Sequence, residues 1–184
     1  MPAKMFSGPV SGAREEITMK LLALFTASLC AIATVSVRAH DIIRHASPNV
    51  PIASSVMVPE GADLVFLSGT LADVADPTAP AGSIERFGDT ATQAKSVLSK
   101  IAKELEASGL TMADVVKMNV YLVGDSRRGG AVDIDGLMKA YMQFFGIRAQ
   151  EKALPARTTV QVAGLPVPGA LVEMEIIAAR HAPH

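Results

Sequence analysis

The residue types best suited to chemistry lie near the C-terminus. Arg157 and Thr159 sit in the run Ala156-Arg157-Thr158-Thr159-Val160, and Glu173 and Glu175 alternate in Val172-Glu173-Met174-Glu175-Ile176. Joined through Leu165-Pro166-Val167-Pro168-Gly169, the two runs read as a β-hairpin centred near Pro166. That register sets Arg157 across from Glu175 and Thr159 across from Glu173, all on one face; a slip of one residue changes every face. The arrangement serves as a cross-strand ion-pair ladder worth about a few tenths of a kcal/mol. It serves equally as a guanidinium fork for a small carboxylate, beside an acid able to orient water.

What the chain lacks narrows the chemistry further. The four histidines are His40, His45, His181 and His184, the single cysteine is Cys30, and there is no tryptophan. Between Ser47 and Arg180 there is neither His nor Cys. That excludes a disulfide framework, a thiol nucleophile, a His-based triad and a His/Cys zinc site from the body of the chain. Catalysis there must use carboxylates, hydroxyls, Arg, Lys, Tyr or backbone groups.

The elements that must position these residues follow from periodicity. Ser54–Val58 and Asp63–Ser68 are short β-rich runs joined by Pro59-Glu60-Gly61, which predicts a hairpin. Residues 70–88 read as a loop. Asp89 or Thr90 caps a helix with Gln93 as capping-box partner; Ala94, Val97, Leu98, Ile101 and Leu105 form its apolar stripe, and Ser108-Gly109 ends it. Val115–Val123 alternates as a half-buried strand, Asp133–Phe145 is a second helix ending at Gly146, and Thr158–Ala163 and Leu171–Ala179 are the last strands. The predicted fold is a single α+β domain of order β-β-α-β-α-β-β, with two helices on one face of a mainly antiparallel sheet. The other face, where Leu171, Glu173, Glu175 and Ile177 mix charge with apolar surface, is expected to form an oligomer interface with a site in it.

Several of these segments, in order, resemble the Rid family of RidA-type, YjgF-like reactive intermediate deaminases. The resemblance rests on Pro155-Ala156-Arg157-Thr158-Thr159-Val160 with Leu171-Val172-Glu173-Met174-Glu175. It extends to Val65-Phe66-Leu67-Ser68-Gly69, the helix from Gln93 to Leu110, the strand Asp114–Leu122 and Tyr141-Met142-Gln143-Phe144-Phe145. It implies a chorismate-mutase-like subunit assembled as a homotrimer with ligand sites between subunits. It also implies hydrolysis of enamines and imines, such as 2-aminoacrylate and 2-iminopropanoate, to 2-keto acids and ammonia without metal or organic cofactor. Carried over by position, Arg157 binds the substrate carboxylate, Glu173 positions or activates water, and Ser68 and Gly69 line the pocket. Three positions depart from the family pattern: Ser55 stands for a Tyr, Met138 for an Asn and Thr159 for a Cys. These substitutions imply a shifted substrate preference toward something larger and more apolar. A non-catalytic binder of small carboxylates is the alternative, and a ribonuclease or translation inhibitor a more distant one.

The chain has 184 residues, 49% hydrophobic and 19% charged, with a formal net charge of −1. Lys20 precedes an uncharged stretch from Leu21 to Val37, and Val37-Arg38-Ala39 fits a cleavage site, so residues 1–39 are expected to be a dispensable extension plus a secretory signal. Residues 40–184 then form the mature domain, periplasmic or secreted, or cytoplasmic if the signal is not used. Removing Lys4, Arg14, Lys20, Arg38, Glu15 and Glu16 leaves thirteen basic against sixteen acidic residues, or −3. That balance, with no basic cluster longer than Arg127-Arg128, disfavours nucleic acid. No stable membrane partner is expected after cleavage. Glu15 and Glu16 make a poor start for a signal, so Met19 is the expected initiator. N-terminal sequencing of the native product should read from His40; a product retaining Met1 would overturn this reading.

Overall fold

The computed structural model describes residues 41–145 and 153–180. The expected signal, His40 and the helix stop at Gly146 lie outside those residues. Among the described residues no helix is long and apolar enough to cross a membrane.

The elements run β1 (Ile43–Ala46), β2 (Ala53–Met57), β3 (Asp63–Leu71), α1 (Ile84–Phe87), α2 (Thr90–Ala107), β4 (Val115–Leu122), α3 (Ile134–Phe145), β5 (Ala156–Gln161) and β6 (Val172–Arg180). The six strands form one mixed sheet in the order β1-β2-β5-β4-β6-β3. Strand β4 is antiparallel to β6 and parallel to β5; β1–β2 and β3–β6 are antiparallel, and β2–β5 is parallel. The α+β fold with its two long helices on one face is as the sequence predicts.

Helix α2 is held by both of its ends. Asp89 is the N-cap and accepts the Thr92 N–H, and Gly109 supplies a positive φ just past the C-cap. Its stripe of Ala94, Val97, Leu98, Ile101 and Leu105 is fully buried, and the helix packs against β3, β6 and α3. Helix α3 buries Leu137, Ala140, Tyr141 and Phe145, and the Tyr141 and Phe145 rings stack at 4.8 Å.

Both expected hairpins are corrected. The turn at Pro59–Ala62 forms, with Gly61 at φ +81°, but β2 leaves it to pair with β1 and β5 while β3 pairs with β6 at the far edge. Likewise β5 and β6 do not meet, because β4 lies between them. Strand β5 returns parallel to β4 through the α3 crossover, and β6 then lies on the other side of β4. Two elements carry little periodic signal. Strand β1 is short and mixed in polarity, and is pinned by Arg44, whose guanidinium donates to the carbonyls of Ala113, Val115 and Leu154 at 2.7, 2.8 and 3.1 Å. Helix α1 is a single turn inside the expected loop, anchored by the buried Phe87.

Gln93 does not act as the expected capping-box partner, because Asp89 is the N-cap and the Gln93 side chain turns to other backbone groups. It is fully buried; its amide donates to the carbonyls of Gly88 and Gly169 and accepts the Leu171 N–H at 2.8 Å. The side chain thereby ties the start of α2 to the lead into β6. Replacing it with Leu leaves the buried Leu171 N–H and two part-buried carbonyls without this partner, and Gln93→Leu should lower stability by about 3 kcal/mol in urea unfolding. A loss below about 1 kcal/mol would show that these bonds do not hold the segment.

Candidate ligand site

Arg157 faces the helices. Its register partner on β4 is Met118, which in turn pairs with the buried Ile176 of β6, so all three share the core face. Helix α3 closes over the guanidinium. Both terminal nitrogens lie 3.4 Å from the Met138 sulfur, and the guanidinium carbon sits 4.3 Å from the centre of the Tyr141 ring. Burial draws the Arg157 pKa below its ordinary value, and burial also pushes the Tyr141 hydroxyl up to about 12, so that ring stays neutral. The Tyr141 hydroxyl donates to the Pro51 carbonyl at 3.0 Å. No carboxylate among the described residues reaches Arg157. Two residues on, and on the same face, the Thr159 hydroxyl oxygen is buried with no hydrogen-bond partner among the described residues. Among the described residues this half-buried cation meets only a thioether and a π face, beside a hydroxyl with no partner, an arrangement with donors left over for an anion.

Glu173 faces the opposite side. It pairs with Tyr121 on β4 and with Leu71 on β3. Between Leu67 and Thr70 the ladder slips, so that Ser68 and Gly69 bulge opposite Glu175. A Cβ on Gly69 would land on the Glu173 carboxylate, so only glycine lets the strand and the acid approach this closely. Glu175 is fastened on the same face: Asn119 donates to its carboxylate at 2.7 Å and Tyr121 at 2.9 Å. Those two bonds, Asn119 first, hold the Glu175 carboxyl below the usual carboxylate range. A cleft of about 220 Å³ opens here between Phe66, Ser68, Lys117, Asn119, Glu175 and Ile177. Phe66 is 69% exposed, so this sheet face remains uncovered in one subunit.

The register therefore corrects the single-face arrangement expected for Arg157, Thr159, Glu173 and Glu175. Arg157 and Thr159 lie on the helix face, Glu173 and Glu175 on the open face. Arg157 and Glu173 are also separated by two strand spacings and three positions along β4, about 14 Å between backbones. One small substrate cannot touch both within a subunit. Met138 does meet Arg157, and Ser68 and Gly69 do meet the Glu173–Glu175 face. Ser55 is exposed on β2 opposite His45, and no described hydrogen bond ties it to either group. Neither Tyr141 nor the Asn119–Tyr121 pair on the face of β4 opposite Met118 is among the site residues expected from the sequence. The available signals were a Tyr three residues after Met138 and two polar residues in register with an acidic strand.

The fold is a small α+β subunit with a guanidinium under one helix that meets no carboxylate among the described residues, and an acid beside a glycine bulge on the open sheet face. The family profile described as Endoribonuclease L-PSP matches residues 43–180. The chain belongs to this family, the YjgF-like or Rid family. Among curated relatives, Protein DfrA of Myxococcus xanthus is 35% identical over 130 residues, covering 70% of this chain and 84% of that protein. The Escherichia coli K12 protein named "Putative reactive intermediate deaminase TdcF" is 33% identical over 127 residues, covering 67% and 86%. The fold is also that of a Yersinia pestis protein of unknown function, YyfB of the conserved Rid protein family, with a TM-score of 0.56, 24% identity and coverage of 76% of this chain and 98% of that one.

Because its folded pKa is depressed, Glu175 contributes stability above its unfolded pKa of about 4.3, and that contribution is lost as pH falls through the lower folded value. The stability gap between the wild type and Glu175→Gln should therefore shrink below about pH 4.3 and stay level above it. A gap independent of pH across that range would rule out the ionised form as the one that Asn119 and Tyr121 hold.

Proposed function

We propose that the protein hydrolyses reactive 2-imino acids and their enamine tautomers to 2-keto acids and ammonia. The observation that carries this reading is the half-buried Arg157 guanidinium, which meets only Met138 and Tyr141 among the described residues. The naming of a relative as a reactive intermediate deaminase points the same way.

Arg157 grips the substrate carboxylate with two parallel N–H donors, displacing the Met138 thioether, a far weaker acceptor. The Thr159 hydroxyl, two residues along on the same strand face, supplies a further hydrogen bond to the bound acid. Fixing the carboxylate fixes the plane of the C=N group and so the face open to attack. An iminium carbon is already electrophilic, so water needs placement more than a strong base. Glu173 holds that water, accepts its proton as the carbinolamine forms, and returns a proton to the departing ammonia. Atoms balance: imine plus water gives ketone plus ammonia.

The two halves lie on opposite faces, so the working site joins Arg157 of one subunit to Glu173 of another. A homotrimer that packs the open sheet face of each subunit against its neighbour supplies that junction and covers Phe66, Val160 and Ile177. Met138, an apolar and adaptable side chain where the family pattern has an Asn, makes the surroundings of Arg157 more apolar and favours imino acids with apolar side chains. The expected export places the source of these imines outside the cytoplasm, in oxidation of amines or amino acids. The endoribonuclease description attached to the family finds no basic surface here, since residues 40–184 carry −3.

The test is turnover of imino acids generated in situ by an amino-acid oxidase, followed by ammonia and keto-acid release. The protein should accelerate hydrolysis, with Arg157→Ala abolishing it and Glu173→Gln lowering kcat by at least about a hundredfold. Saturable keto-acid binding without turnover, unaffected by Glu173→Gln, would identify a binder instead.

A further inference from the structure

The edge of Arg157 that would fork onto a carboxylate is turned toward a methionine. Both terminal nitrogens approach the Met138 sulfur at 3.4 Å, while Tyr141 backs the flat face of the guanidinium. We propose that Met138 is an oxidation site whose sulfoxide closes the Arg157 anion site. The inference rests on the reading of Arg157 as the carboxylate grip.

The chemistry follows from what a thioether becomes. A neutral sulfur is a weak, polarisable acceptor, easily displaced by an anion. Attack of its lone pair on a hydroperoxide breaks the O–O bond and transfers one oxygen to sulfur. The thioether is oxidised by two electrons to the sulfoxide, and the peroxide is reduced to an alcohol, or to water in the case of hydrogen peroxide. The new S=O oxygen carries substantial negative charge and lies on the side chain that already faces both terminal nitrogens. It therefore bonds the guanidinium directly, with charge assistance, and a substrate carboxylate must now displace a strong acceptor in place of a weak one.

The setting suits such a control. Met138 is half-buried on the α3 surface that covers Arg157, so the residue is not sealed within the core. The described residues contain no cysteine to consume the oxidant first. Oxidases that convert amines to imines release a peroxide with each turnover, so substrate and oxidant arise together. Enzymatic reduction of the sulfoxide reverses the change.

The experiment uses the full-length protein, hydrogen peroxide, and pyruvate as the simplest 2-keto acid probe. Oxidation at each methionine is followed by mass spectrometry, the Arg157 guanidinium by its side-chain NMR signals, and pyruvate affinity by calorimetry. Wild type should form the Met138 sulfoxide, shift its Arg157 signals and bind pyruvate about tenfold more weakly, with recovery on treatment with methionine sulfoxide reductase. Met138→Leu, compared with its own untreated state, should show no such change although its other methionines still oxidise. Met138→Gln, which places a carbonyl oxygen on a stem of similar length, should show the weakened binding without peroxide. The proposal is overturned if Met138 stays reduced while the exposed Met57 and Met142 convert, or if its sulfoxide forms and neither the Arg157 signals nor pyruvate binding moves. Should untreated protein neither bind pyruvate nor turn over imino acids while oxidation still shifts Arg157, the deaminase reading fails and the sulfoxide–guanidinium contact stands.

Discussion

Strand β4 sets the constraint on which the rest of this protein depends. It is hydrogen-bonded on both sides, to β5 and β6, and its alternate residues Met118, Val120 and Leu122 are fully buried under the helices. Each flanking strand must therefore match its pleat. Arg157 falls in line with Met118 and Thr159 with Val120, and both enter the helix face; Glu175 falls in line with Asn119 and Glu173 with Tyr121, and both enter the open face. Shifting β6 by one residue would place Glu173 and Glu175 in the core and Met174 and Ile176 in solvent, at a cost of several kcal/mol, and shifting β5 would turn Arg157 and Thr159 out onto the open face. The functional groups are thus distributed by the same register that forms the core.

This explains which parts of the fold were legible in the sequence. The alternation of β4 and β6 and the stripe of α2 can be read directly, because burial of one face imposes a period of 2 or 3.6 on the chain itself. Pairing is different. The runs around Arg157 and Glu173 are adjacent in sequence and separated by a proline-rich turn, the usual mark of a hairpin, yet β4 takes the place between them. Nothing local to residues 156–176 encodes that choice. It follows from the α3 crossover, which brings β5 back parallel to β4 and leaves the opposite side of β4 for β6. The types of the site residues could be read, as could their membership of one family pattern. Their division between two faces required the non-local register, and so did the role of Tyr141, whose ring backs Arg157 only because α3 lies over β5.

The surroundings of Arg157 show how a cation is kept available inside a protein. Desolvation alone disfavours the charged form, and a carboxylate partner would offset that penalty while occupying the donors. Here the compensation comes from a neutral ring at 4.3 Å, worth about 0.5–2 kcal/mol, and from a thioether that makes only weak contacts with the terminal nitrogens. The guanidinium keeps its charge and its appetite for an anion. Glu175 illustrates the contrary arrangement. One oxygen of its carboxylate accepts from both Asn119 and Tyr121, which fixes it in place and leaves the neighbouring Glu173, next to Gly69, as the acid without a described partner.

Placing a binding cation and an acid on opposite faces of one sheet has a consequence for function. A subunit in isolation can attract a carboxylate, since Arg157 and Thr159 lie together, but about 14 Å of backbone keeps Glu173 from the bound molecule. In the proposed trimer the missing half comes from a neighbour, and the apolar surface of Phe66, Val160 and Ile177 supplies the driving force for the contact. Assembly and catalysis are then one requirement. The closeness of Gly69 to Glu173 has to survive docking, so the bulge at Ser68 and Gly69 works at two levels: it ends the regular β3–β6 ladder, and it opens the backbone where the acid must meet a ligand carried by another chain. In the proposed trimer, selectivity would come from bringing two simple charged groups, Arg157 and Glu173, together across a symmetric interface.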